Sequence, residues 1–339
     1  MERFMRTPCI TKSEEQLLQK LSAILDIECQ HPPVLDYKCI KIQELQLRSV
    51  GKQGTEDWLD DRHNFITASI SAAASGNSGP VARETLLLDK ATYGTYNPFY
   101  GGFHTDYGHL HEPIAKQIYS NRHGIEILDF GLIQHPTISY LGASTDGVSR
   151  ELINFEIKSL SSRSIDNKIK KIYYHQMQHQ MYCLGLETSM FIEGRYQYYS
   201  DEHVFYEEFP ANVEKGIIIE VYRIAETRLE YLYSPETGFF DKECLAKWHS
   251  EQDKIIAQSD NILHVRDIYW SLLEFSCTKV PCDPEWGKIQ HPLFAQFWEE
   301  VLSLRENPDE VQKIITDREK RVETKKTKRN KTFSNLLLP

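Results

Sequence analysis

Near residue 125 the apolar pattern of the chain changes period, and this change limits the fold more than any other feature. Upstream, apolar residues recur at helical spacing. They do so around Trp58 to Ser75, from about Ala82 to Ala91 after the loop SGNSGP, and from about Asp106 to Asn121 before His123-Gly124. Downstream, EILDFGLIQ, SYLGASTDGV and LINFEIK are short alternating runs separated by His-Pro and Gly/Asp turns, which predicts an antiparallel meander. Helical spacing returns over residues 168–186. SMFIEGRYQYY and EHVFYEEF then read as two strands, and Gly216 to Tyr233 as a long helix. The expected fold is mixed α/β.

With 339 residues, 40% hydrophobic and 26% charged, the chain has the means to bury a sizeable core, as one decorated domain or two smaller ones. Helical spacing over 13–29, broken at His31-Pro32-Pro33, predicts an N-terminal helical extension over 1–50, with the main core at 51–235. Residues 236–312 carry WSLLEF, VPCDPEW and FAQFWEE, expected to pack as an aromatic-rich accessory region, and 313–339 form a basic tail. No run approaches the ~18 apolar residues of a membrane span, and no apolar signal core opens the chain. An intracellular protein of nucleus or cytoplasm, without a membrane partner, is expected. Seven scattered cysteines lack any Cys-x-x-Cys pair and favour neither disulfides nor a zinc or iron–sulfur site. Net charge is −10, yet residues 318–331 hold eight Lys/Arg against two Glu. A polyanion would therefore be met locally, although such a run also suits a solvated tail or a nuclear-import signal.

The chemistry concentrates between Asp146 and Lys158. STDG sits at the tight end of one strand and NFEIK runs along the next, so period-2 geometry places Asn154, Glu156 and Lys158 on one face. Two carboxylates and an ammonium from adjacent strands form a hard oxygen site for Mg²⁺ or Mn²⁺, suited to phosphodiester hydrolysis. Taken alone, the motif is weak, and Glu156 and Lys158 read more readily as a solvent-facing ion pair on a strand.

Five segments in order sharpen the choice: WLDDRHNFITAS (58–69), GHLHE (108–112), LGASTDG (141–147), FEIK (155–158) and HQMQHQM (175–181). Together they resemble the PD-(D/E)xK nucleases of the lambda-exonuclease and YqaJ-like viral recombinase type, including versions carried by large DNA viruses. The one departure is Thr145, where that family usually has proline. The resemblance implies a restriction-endonuclease-like three-layer core, a small mixed sheet flanked by helices. It implies Asp146, Glu156, the Ile157 carbonyl and Glu112 as ligands for one or two Mg²⁺ or Mn²⁺ ions, with Lys158 orienting the attacking water. The family's active-site glutamine matches Gln178 best, with Gln176 as the alternative. Arg62, Ser69, Ser144 and Arg163 match positions holding the phosphate of a DNA end. His175 and His179 have zinc spacing, but with no Glu between them and no third ligand they read as surface or core histidines.

The activity so implied is a divalent-metal-dependent DNA exonuclease. It would digest double-stranded ends 5′ to 3′ in recombination, repair or viral DNA processing, with a single-strand annealing recombinase as partner and a homotrimer as one assembly. Two alternatives stand beside it: a structure-specific or restriction-type endonuclease of the same superfamily, and a non-cleaving DNA-binding module.

Overall fold

The computed structural model describes residues 36–98, 101–209 and 211–336. The helix expected over 13–29 lies outside them. Helices α1 (Tyr37–Arg48), α2 (Glu56–Asp61), α3 (Ser71–Ala74), α4 (Arg83–Ala91) and α5 (Phe103–His123) fill the first third. A small antiparallel sheet joins β1 (Ser49–Val50), β3 (Leu132–Gln134) and β4 (Gly142–Ser144) in the order β1-β3-β4. The main sheet holds β2 (Ile127–Leu128), β5 (Gly147–Ser149), β6 (Ile153–Ser159), β7 (Thr188–Tyr199), β10 (Ile262–Pro281), β8 (Lys215–Arg223) and β9 (Arg228–Tyr233), in that spatial order.

Every neighbouring pair of the main sheet is antiparallel except β6 and β7. A parallel pair needs a crossover, and α6 (Lys171–Leu184) supplies it. The alternation in β6 then decides which helix covers which face. Phe155 and Ile157 pack with Ala115 and Tyr119 of α5. Asn154 and Glu156 point the other way, toward α6, and are also fully buried. Phe155 is closed off from solvent, so truncating it to alanine would cost about 3–5 kcal/mol. Beyond β7 the sheet is covered by α7 (Glu202–Glu208) and α8 (Lys242–Ala257), through Phe205 and Leu245. The last helices, α9 (Trp286–Glu306) and α10 (Pro308–Leu336), pack back on the first third of the chain, where Arg83 forms a bidentate pair with Glu300.

The three-layer mixed α/β architecture and the meander over β5 and β6 are as the sequence predicts. Three local readings need correction. EHVFYEEF is helical over Glu202–Glu208, because the Asp201 carboxylate accepts the Val204 N–H at 2.9 Å and caps it. Gly216 to Tyr233 is not a helix but the hairpin β8–β9. The run Ile217-Ile218-Ile219 with Val221 is β-branched and buried on both faces, as a central strand requires. Finally, WSLLEF does not lie in an accessory layer: it belongs to β10, whose first half pairs with β8 and whose second half pairs with β7.

Candidate active site

The turn after β4, the end of β6 and one face of α5 enclose a cleft of about 470 Å³. Glu112 and His109 reach it from α5, Asp146 from the turn, Ile157 and Lys158 from β6, and Arg163 and Lys170 from the segment that follows. Glu156 lies beneath this surface, fully buried and ion-paired with Lys158.

Asp146 is placed by its own main chain. Its N–H donates to the Phe155 carbonyl at 3.2 Å, and its Oδ2 accepts the Ile157 N–H at 2.6 Å. Thr145 takes over what a proline would do by ring closure. Its buried hydroxyl lies 2.6 Å from Asn154 Oδ1 and accepts the Gly147 N–H at 3.1 Å, tying the turn to β6.

Helix α6 orients Glu156. Gln176 and Gln180, one turn apart and so on one face, donate to Glu156 Oε2 at 2.9 and 2.7 Å. Gln180 also donates to the Ser144 carbonyl at 3.1 Å and accepts from Asn154 Nδ2 at 3.0 Å. Gln178, expected in this role, is turned about 200° around the helix from either. Its amide instead donates to the Pro281 carbonyl at 2.9 Å and accepts the Asp283 N–H at 2.8 Å. Of the two glutamines the sequence offers, the alternative, Gln176, faces Glu156 and the preferred one, Gln178, does not; Gln180 is the partner the sequence reading does not name. The i, i+4 pair of glutamines was the signal that could have found it.

The histidines of these segments divide cleanly. His179 is buried against Trp286 and Phe294, with Nε2 3.1 Å from the Gly142 carbonyl, and burial lowers its pKa to about 4. His111 is likewise buried and lowered to about 4, between the Tyr107 carbonyl and the Tyr198 hydroxyl. Both are neutral packing residues. His109, by contrast, is exposed in the cleft.

The charges are unbalanced toward the negative. Burial, then the nearby Asp146 carboxylate, push Glu112 up to about 7, although Lys116 pairs with it at 2.7 Å. Burial also pushes Glu156 up to about 7, with Asp146 adding to the effect and Lys158 opposing it. For Lys158, burial is outweighed by the Glu156 and Asp146 carboxylates, and its pKa is raised. The ammonium thus stays charged, 5.3 Å from the centre of the Tyr173 ring.

Mutual repulsion of this kind is relieved by a cation. Among the described residues no three His, Cys, Asp or Glu side chains already form a closed metal cage. Mg²⁺, however, keeps several waters and takes one or two carboxylates together with substrate phosphate. Asp146, Glu112 and Ile157 all line the cleft, and two carboxylates with a main-chain carbonyl are donors of the kind that requirement names. Glu156, expected as a further ligand, does not line the cleft: it is fully buried and engaged by Lys158 and two glutamines.

Of the four residues expected to hold a terminal phosphate, three come together. The Arg62 guanidinium lies 4.4 Å from the centre of the Trp58 ring and donates to Ser69 Oγ at 3.2 Å. Trp58 Nε1 in turn donates to Ser144 Oγ at 3.2 Å. Arg163 is elsewhere, ion-paired with buried Glu193 on the wall of the cleft. Trp58 also lines an adjoining cavity of about 630 Å³, which shares His109 and Glu112 with the cleft.

Fold and site together define a mixed α/β domain built around a carboxylate–lysine cleft. Residues 57–187 match the model of the YqaJ-like viral recombinase domain. The resemblance read from the five motifs is borne out over that stretch. The chain is also similar to an uncharacterised protein of Acanthamoeba polyphaga mimivirus, at 25% identity over 78% of this chain and 55% of the relative; it thus spans about half that protein's length. Among solved structures it is similar to an alkaline exonuclease, LHK-Exo, from Laribacter hongkongensis (18% identity, TM-score 0.46, 78% of this chain and 99% of the other). A phage-related exonuclease from Haemophilus somnus 129PT is more distant (11% identity, TM-score 0.37, 75% and 96%).

Proposed function

We propose that the protein is a divalent-metal-dependent deoxyribonuclease that digests double-stranded DNA from its ends, 5′ to 3′. One observation carries the reading: Glu112, Asp146 and Lys158 open on a single cleft, with Glu156 locked behind Lys158 by Gln176 and Gln180. A bound divalent ion would lower the pKa of water and neutralise charge on the scissile phosphate. Asp146, Glu112 and the Ile157 carbonyl would hold it. Lys158 would orient the attacking water and screen the charge that develops on the phosphate. Arg62, Ser69 and Ser144 would seat the terminal phosphate. A guanidinium and two hydroxyls are suited to that anion.

The test is digestion of linear duplex with Mg²⁺ beside covalently closed circular duplex. The proposal expects the linear form to be consumed, the circle to survive, and Asp146→Ala to be inactive. Cleavage of the circle would instead support an endonuclease, and undiminished cleavage by Asp146→Ala would remove the catalytic assignment.

A further inference from the structure

Behind Arg62 lies a second cation that the mechanism above does not use. Lys90, on α4, is 4% exposed. Its ammonium donates to the main-chain carbonyl of Arg62, and among the described residues no carboxylate stands within ion-pair distance of it. Arg305 of α9 braces the same place, donating to the His63 carbonyl at 2.8 Å and to the Lys90 carbonyl at 3.0 Å. The Arg305 guanidinium is itself packed against Tyr93 and Trp298, 4.0 and 5.3 Å from their ring centres. Arg62 also lacks a carboxylate partner among the described residues: its contacts are Trp58 and Ser69. Burying cations without counter-ions is unfavourable unless an anion completes the site.

We infer that Lys90 is a positioning residue for the Arg62 pocket: it fixes the main chain under Arg62 and adds a second buried positive charge that selects substrate ends bearing a phosphate. The inference rests on the proposed nuclease reading and extends it to how the terminal group is chosen. The charged groups facing Lys90 are Asp89 on its own helix, Arg62 and His63 from the preceding turn, and Arg305 from α9. Burial, with Arg62 and Arg305 adding to it and Asp89 opposing, lowers the Lys90 pKa to about 7. A phosphate dianion entering the pocket would draw a proton onto Lys90, so preference for it should fade as pH rises.

The experiment measures binding without turnover. Labelled short duplexes with a 5′-phosphate or a 5′-hydroxyl are titrated with the full chain in EDTA, from pH 7 to pH 9, a range above the second phosphate pKa of about 6. The native chain should favour the phosphorylated end, and the ratio should fall about tenfold across that range. In Lys90→Met the ratio at pH 7 should be about tenfold smaller and nearly independent of pH. Methionine keeps the volume and removes a buried charge, a change that folds tolerate. Should it nonetheless fail to fold, the pH slope of the native chain remains a test. A flat native ratio, or an unchanged ratio and slope in Lys90→Met, would overturn the inference. Mg²⁺-dependent release of nucleotides, measured on the same duplexes, separates the two claims. Release without phosphate preference removes the role of Lys90 and the phosphate pocket it serves but leaves cleavage standing, whereas no release removes the nuclease reading itself.

Discussion

Asp146 Oδ2 accepts the main-chain N–H of Ile157 at 2.6 Å, so the turn between β4 and β5 that carries the carboxylate is tied directly to β6. The Ile157 carbonyl and the second Asp146 oxygen therefore form one unit, and the catalytic reading depends on that unit staying intact.

Asp146→Asn is nearly isosteric and should leave the fold standing while cleavage falls at least about a hundredfold. Lys158→Met should lose cleavage too, but at a cost to stability of about 3–5 kcal/mol, because Glu156 is left buried and unpaired. Adding Glu156→Gln to Lys158→Met should recover stability without activity. Denaturant unfolding beside a nuclease assay checks both, and a double variant no more stable than Lys158→Met would contradict the pairing.

The glutamines of α6 should separate by face. Gln180→Ala removes donors to Glu156 and to the Ser144 carbonyl and should lower kcat by more than about tenfold. Gln178→Ala should cost about 1–3 kcal/mol by freeing the Pro281 carbonyl and the Asp283 N–H, with kcat close to native. Reversed effects would restore Gln178 to the site.

Arg62→Ala should reduce discrimination between 5′-phosphorylated and 5′-hydroxyl duplex more than it reduces maximal cleavage rate. The side chain contacts Ser69 and Trp58 and none of the carboxylates. Rates on both substrates at saturation decide it; an unchanged preference would count against the pocket.

Because Glu112 is raised from 4.5 to about 7, the metal-free folded chain keeps a proton that the unfolded chain releases over that window. This contribution to stability is largest at acid pH and is lost as pH rises through 7. A divalent ion needs the carboxylate, so its affinity should climb between about pH 6 and pH 8. Thermal unfolding with and without Mg²⁺ at pH 5.5 and pH 8 should show the larger gain at pH 8. An equal gain at both would exclude Glu112 from the cation site.

Much of this was legible in the residues. Period-2 alternation located β6, and the spacing of Asp146, Glu156 and Lys158 located the cleft. What period alone does not reveal is what covers a face: the polar side of β6 reads as exposed but lies under α6, where Gln176, Gln180 and Lys158 satisfy it. β10 escaped for a related reason. It exchanges partners along its length and bulges between Leu272 and Glu274, so its burial follows no simple alternation. The hairpin β8–β9 was read as a helix because a continuous apolar run carries little periodicity.

The late position of β10 in the chain has a consequence for biosynthesis. By residue 235 a ribosome has delivered every side chain assigned to the cleft, yet β7 and β8 still lack the strand that sits between them. Until residues 262–281 emerge, both would present open hydrogen-bonding edges, the kind that invite aggregation. The sheet around the cleft should therefore close only once β10 has emerged, and a messenger truncated between the last cleft residue and β10 should encode an aggregation-prone fragment.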